Sequence, residues 1–114
     1  MQSNLADVLQ GTLGMLILKS LAAQTRHGYD IARWIADVSK GSLAIEEGSL
    51  YPALRRLEDR ALVKSEWKLS DTGRRVRVYS LTRTGRAHLA REVTGWMELS
   101  RAVMLVIRTE PALG

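Results

Sequence analysis

Glu46-Glu47-Gly48-Ser49-Leu50-Tyr51-Pro52-Ala53-Leu54-Arg55-Arg56-Leu57-Glu58, followed by Gly73-Arg74-Arg75-Val76-Arg77-Val78-Tyr79-Ser80-Leu81-Thr82, decides the reading of this chain. Leu50, Ala53, Leu54 and Leu57 recur at i, i+3, i+4, i+7, so a helix would place them on one side. Tyr51, Pro52, Arg55, Arg56 and Asp59 then point the other way. A short helix that buries its leucines and shows a tyrosine and two arginines outward suits a major groove. The arginines of the second stretch, Arg74, Arg75 and Arg77, suit phosphates. Helix followed by basic hairpin reads as a winged helix-turn-helix, a mainly α fold with a β-hairpin wing.

Working outward, charge follows the same stretch. Of 17 Lys and Arg, eleven fall within residues 49–91, against four of the 12 Asp and Glu. A polyanionic partner explains that placement; a solvated basic face explains it as well. The length of 114 residues fits one domain, and 46% hydrophobic with 25% charged residues is ordinary for a globular chain. Cysteine is absent, which excludes disulfides and thiolate metal sites and fits a reducing compartment. No apolar run approaches the roughly 20 residues that span a bilayer. The start lacks the basic segment of a secretory signal. A cytoplasmic location and no membrane partner are therefore expected.

Before the deciding stretch, residues 9–24 read as a first helix with Leu9, Leu13, Leu16, Ile17 and Leu21 in a stripe. Thr25 to Gly28 reads as a turn. A second helix over residues 28–39 carries Ile31, Ile35 and Val38 on one face and ends at Gly41. The third helix is predicted over residues 46–60, with Glu46 and Glu47 complementing its dipole. Val63, Ser65, Trp67 and Leu69 then alternate with Lys64, Glu66 and Lys68, the period of a strand. Trp67 is expected to pack the wing onto the core. In the return strand Val76 and Val78 face away from Arg75, Arg77 and Tyr79.

A last helix is predicted from Thr82–Arg86 to Arg108, capped by Thr82 or Thr84. Leu89, Val93, Trp96, Ser100, Val103 and Ile107 follow a 4-3-4-3-4 spacing, the mark of a helix that packs along another helix. Ala90, Met97 and Met104 widen the stripe. A helix this long extends past a three-helix core, so its exposed part should pair with a second copy. Residues 1–82 would form the DNA-binding part and residues 83–114 the C-terminal dimerisation helix of one structural unit.

From about Leu9 to Trp96 the sequence resembles the PadR family of bacterial transcriptional regulators. The resemblance rests on Gly11-Thr-Leu-Gly-Met-Leu-Ile-Leu18, His27-Gly-Tyr-Asp-Ile31, Gly48-Ser-Leu-Tyr-Pro-Ala-Leu-Arg-Arg-Leu-Glu58, Lys64-Ser-Glu-Trp67, Tyr79-Ser-Leu-Thr82 and Gly85, in that order. It implies a homodimeric winged-helix repressor of the compact kind with a single C-terminal helix. The third helix would enter the major groove of operator DNA and the wing would touch the flanking backbone. By motif position, Ser49, Tyr51 and Arg55 or Arg56 would contact DNA from the helix, and Arg74 and Arg75 from the wing. The last helix would dimerise against the partner's first and last helices, which brings in Leu13 and Leu16. The resemblance further implies release from DNA by small aromatic or amphipathic ligands, or by poorly defined signals.

Blander roles stand beside these. Tyr51 could simply pack half-exposed on its helix, and Arg55 or Arg56 could pair with Asp59. Val93, Trp96, Met97, Val103, Met104 and Ile107 read first as dimer core. Trp96 with Val93, Met97 and Met104 reads second as the lining of an effector pocket. His27 and His88 lie far apart in sequence, so no metal and no cofactor are expected. The chain shows no glycine-rich phosphate loop, nucleophile elbow or metal motif, so it reads as a non-enzyme. The other functional readings are a winged-helix protein-interaction module without specific DNA binding, and an RNA binder, which the scarcity of aromatics disfavours.

Overall fold

The computed structural model describes residues 11–112. Its elements are α1 (Leu13–Ser20), β1 (Arg26–His27), α2 (Gly28–Val38), α3 (Glu47–Asp59), β2 (Val63–Leu69), β3 (Arg75–Leu81) and α4 (Arg83–Arg108). The strands form one antiparallel sheet in the order β1-β3-β2. Three short helices, a hairpin and a long terminal helix make this a winged helix-turn-helix, mainly α with a β wing.

α1 is shorter than the expected 9–24. Gly11 and Thr12 lie in a turn, and Leu9 falls outside the described residues. The helix is apolar on more than one side, because it is the centre of the core: Leu13, Met15, Ile17 and Leu18 are all buried. Its end is closed by Arg26, whose Nε donates to the Ser20 carbonyl at 2.7 Å. Arg26 also lies over the Trp34 ring, 5.3 Å from its centroid.

Residues 25–28 are more than a turn. Arg26 and His27 form β1, paired with Tyr79 and Val78 of β3. His27 caps α2, its Nδ1 accepting from the Asp30 N–H at 3.4 Å. Ile31 and Ile35 of α2 are buried, but Val38 is exposed near the helix end, past the reach of the core. The end is a Schellman-type closure. The Gly41 N–H donates to the Ala36 carbonyl at 2.8 Å and the Lys40 N–H to the Asp37 carbonyl at 3.1 Å. Lys40 as well as Gly41 takes a positive φ there, 54° and 81°.

α3 matches its expected span to within a residue at each end. Leu50, Ala53, Leu54 and Leu57 are all buried. Each such leucine contributes about 1.5–3 kcal/mol of burial, which fixes the rotation of α3 about its axis. α3 ends on a second closure of the same type, with the Leu62 N–H donating to the Leu57 carbonyl at 2.9 Å and Ala61 at φ 59°.

The hairpin pairs Val63 with Leu81 at its base and Leu69 with Arg75 at its tip. Val63 is buried, whereas the strand from Glu66 onward is exposed. The wing projects beyond the core, so its distal half is not packed against the buried core. Trp67 therefore does not reach the core, contrary to expectation: it is 55% exposed. Thr82, not Thr84, caps α4, its hydroxyl accepting from the Gly85 N–H at 2.9 Å. The 26 residues of α4 extend about 39 Å, and beyond Leu89 none is buried within the chain. Among the described residues, no helix is long and apolar enough to cross a membrane.

Candidate nucleic-acid interface

α3 and the wing face each other across an open cleft of about 890 Å³. Tyr51 and Arg55 line it from α3, and Arg74, Arg75 and Arg77 from the wing. The N-terminal turn of α2 closes it through His27, Gly28 and Tyr29. The structure thus gathers four of the six residues expected to touch DNA. Ser49 and Arg56 are exposed on α3 outside the lining of the cleft.

Each side chain has a local reason for its place. With Leu50, Leu54 and Leu57 buried, Tyr51 and Arg55 must emerge on the opposite side of α3. Tyr51 is 44% exposed. Its inner edge rests on Gly28: a β carbon on that glycine would lie 2.7 Å from the Tyr51 Cε1 and Oη. At the wing tip, the Ser70 N–H donates to the Arg74 carbonyl at 2.8 Å and Gly73 turns the chain at φ 83°. The Ser70 hydroxyl accepts from the Arg74 N–H at 3.2 Å. The turn is therefore closed by its own hydrogen bonds.

A polar relay ties the wing to α3. Arg77 Nε donates to the Ser65 hydroxyl at 2.8 Å, and that hydroxyl donates to Glu58 Oε2 at 2.8 Å. Arg77 Nη2 also meets Glu58 Oε1 at 3.5 Å. Exposed pairs of this kind contribute little to stability, up to about 1 kcal/mol, but they link the end of α3 to both strands of the hairpin. Trp67 lies opposite Arg77 in the register. The Arg75 and Arg77 guanidinium carbons sit 4.9 and 5.7 Å from its ring centroid. Trp67 is thus a shelf for two cations on the cleft wall. Below it, Tyr79 is buried, and desolvation pushes its phenol above the ordinary tyrosine value while Arg77 pulls the other way.

Trp67, Arg77, Glu58 and Gly28 are parts of this site that spacing alone did not single out as a unit. Glu58 and Arg77 are 19 residues apart and meet only through the fold. His27-Gly28-Tyr29 was visible only as one piece of the family resemblance.

The second set of expected residues lies on α4. Val93, Trp96, Met97, Val103, Met104 and Ile107 are exposed, and Trp96 retains 40% of its surface. Leu99, Leu105 and Val106 are exposed too, so the apolar surface is wider than the 4-3-4 stripe. In α1, Leu16 is partly buried, whereas Leu13 is buried in the chain's own core. Among the described residues, no group of three or more His, Asp or Glu is placed to hold a metal ion.

The model of the PadR-like family of transcriptional regulators matches residues 17–91. A transcriptional regulator of Mycobacterium tuberculosis is 37% identical over 89 residues, covering 77% of this chain and 78% of its own. Among solved structures, a PadR family transcriptional regulator from Eggerthella lenta is 30% identical with a TM-score of 0.81, over 93% of this chain and 90% of its own. A transcriptional regulator from Clostridium thermocellum is 28% identical with a TM-score of 0.80, over 90% of this chain and 99% of its own. The matched region runs from the core of α1 through α3, the wing and the first third of α4, and the chain belongs to the PadR-like family of DNA-binding transcriptional regulators.

Proposed function

We propose that the chain acts as a homodimeric, sequence-specific repressor. α3 enters the major groove with Tyr51 and Arg55 or Arg56 toward base edges and Ser49 at its N-terminal turn. The wing lies along the flanking backbone with Arg74 and Arg75 on phosphates. Occupying a promoter in this way excludes the polymerase. The observation that carries the reading is the convergence of Tyr51, Arg55, Arg74 and Arg75 on one cleft. A basic, aromatic-edged cleft beside a helix whose apolar side is fully buried has the chemistry of a duplex-binding surface.

The exposed apolar length of α4 supports the homodimer, because a surface of that kind is covered in a soluble protein. In this reading Leu16 and the α4 residues from Val93 to Ile107 meet a second copy, which sets the distance between two α3 helices. Trp96 with Val93, Met97 and Met104 would accept a small aromatic or amphipathic effector at that interface. Binding there would favour dimers whose reading helices no longer match the operator spacing.

The test is a mobility shift on DNA from upstream of the protein's own gene, with unrelated duplex as competitor. A shifted band that survives excess competitor supports the reading. Binding that the competitor abolishes at moderate salt points instead to non-specific charge attraction. Loss of the band on adding a planar aromatic compound, with quenching of Trp96 fluorescence, would support release by an effector.

A further inference from the structure

We propose that Gly28 is a positioning residue for DNA reading: it is the seat that sets where Tyr51 presents its ring and hydroxyl. The inference rests on the proposed role of Tyr51 at DNA. Gly28 is the first residue of α2 and is buried. Its backbone is ordinary for a helix start, so conformation does not demand glycine. Alanine is the better helix former. What demands glycine is space. A β carbon there would stand 2.7 Å from both Cε1 and Oη of Tyr51 and 3.0 Å from Cζ.

The seat cannot retreat. His27, just before it, is paired with Val78 of the wing, and Ile31, one turn on, is buried in the core. Tyr51 can retreat, since its outer side opens into the cleft. A methyl group at Gly28 would therefore leave the fold in place and swing the Tyr51 ring outward. The hydroxyl would lose its fixed position against the start of α2 on the cleft wall. A side chain held in its binding rotamer before the partner arrives loses less freedom on binding. Gly28 supplies that restraint by having no side chain.

The test is a double-mutant cycle of Gly28→Ala and Tyr51→Ala, read by thermal midpoint and by affinity for the upstream duplex described above. Gly28→Ala alone should leave the midpoint within about 3 °C of wild type and weaken binding about tenfold. In the Tyr51→Ala background, Gly28→Ala should change the affinity less than about twofold, because the ring it displaces is gone. If Gly28→Ala binds as tightly as wild type while Tyr51→Ala binds poorly, the seat is refuted and Tyr51 keeps its role. If the two losses add, or if Gly28→Ala lowers the midpoint equally in both backgrounds, Gly28 is a packing residue and the inference falls. A wild-type protein that does not bind the duplex specifically refutes the DNA reading itself, and the seat with it.

Discussion

The Leu62 carbonyl accepts the Thr82 N–H at 3.1 Å and stands within 3.0 Å of the Thr82 hydroxyl. This bond joins the end of α3 to the start of α4 across the base of the wing. The Thr82 hydroxyl also donates to the Ala61 carbonyl at 2.7 Å. Gly85 packs directly against the same Leu62 carbonyl, so closely that a β carbon would overlap the oxygen. The carbonyl cannot move aside without breaking its bond to Thr82. Gly85→Ala should destabilise the fold by at least about 3 kcal/mol. Chemical denaturation checks it; a change under about 1 kcal/mol would show that the junction gives way easily.

Ala61 offers the opposite case. It holds φ 59° at the closure of α3, a conformation that costs an alanine about 1 kcal/mol or more. The closure is made by main-chain bonds of Ala61 and Leu62 to Glu58 and Leu57, and the Thr82 hydroxyl donates to the Ala61 carbonyl, a main-chain acceptor that glycine keeps. Ala61→Gly should raise stability by about 0.5–1 kcal/mol, after the extra freedom of glycine in the unfolded chain is subtracted. Thermal unfolding should show a midpoint a few degrees higher.

At the wing, Arg74→Ala with Arg75→Ala should weaken binding about equally across DNA sequences. Phosphate contacts carry little sequence information. Their loss should flatten the dependence of log affinity on log salt by about one unit per contact. An unchanged slope would mean that the wing tip does not touch DNA.

On α4, Val103→Glu places a carboxylate in the middle of the exposed apolar stripe. If that stripe meets its copy, the variant buries an unpaired charge at a cost of several kcal/mol and dissociates. Light scattering should then show a dimer for wild type and a monomer for the variant. A well-folded wild-type monomer at micromolar concentration would contradict the dimer.

Much of this was legible in the chain because periodicity reports burial. Leu50, Ala53, Leu54 and Leu57 are spaced as the core requires, and all four are buried. The alternation of β3 was legible in the same way, and the cap of α4 was narrowed to Thr82 or Thr84, of which the structure uses Thr82. What was not legible depends on neighbours distant in sequence. β1 has two residues, too few for any period, and exists because β3 passes beside it. Trp67 reads as a core residue by type, yet the wing carries it past the core, where Arg75 and Arg77 cover it instead. Gly28 looks like a plain turn glycine until the Tyr51 ring is found against it.

The most direct measurement concerns Tyr51. Its ring leans on Gly28 but lies outside the cluster formed by Leu50, Leu54 and Leu57. Tyr51→Ala should leave the thermal midpoint within a few degrees of wild type, since surface substitutions usually cost under about 0.5 kcal/mol. In the same preparation it should weaken specific DNA binding by about 1–3 kcal/mol, the worth of one good contact. A variant that melts much earlier, while its folded fraction binds DNA as tightly as wild type, would make Tyr51 a packing residue and put the reading face of α3 elsewhere.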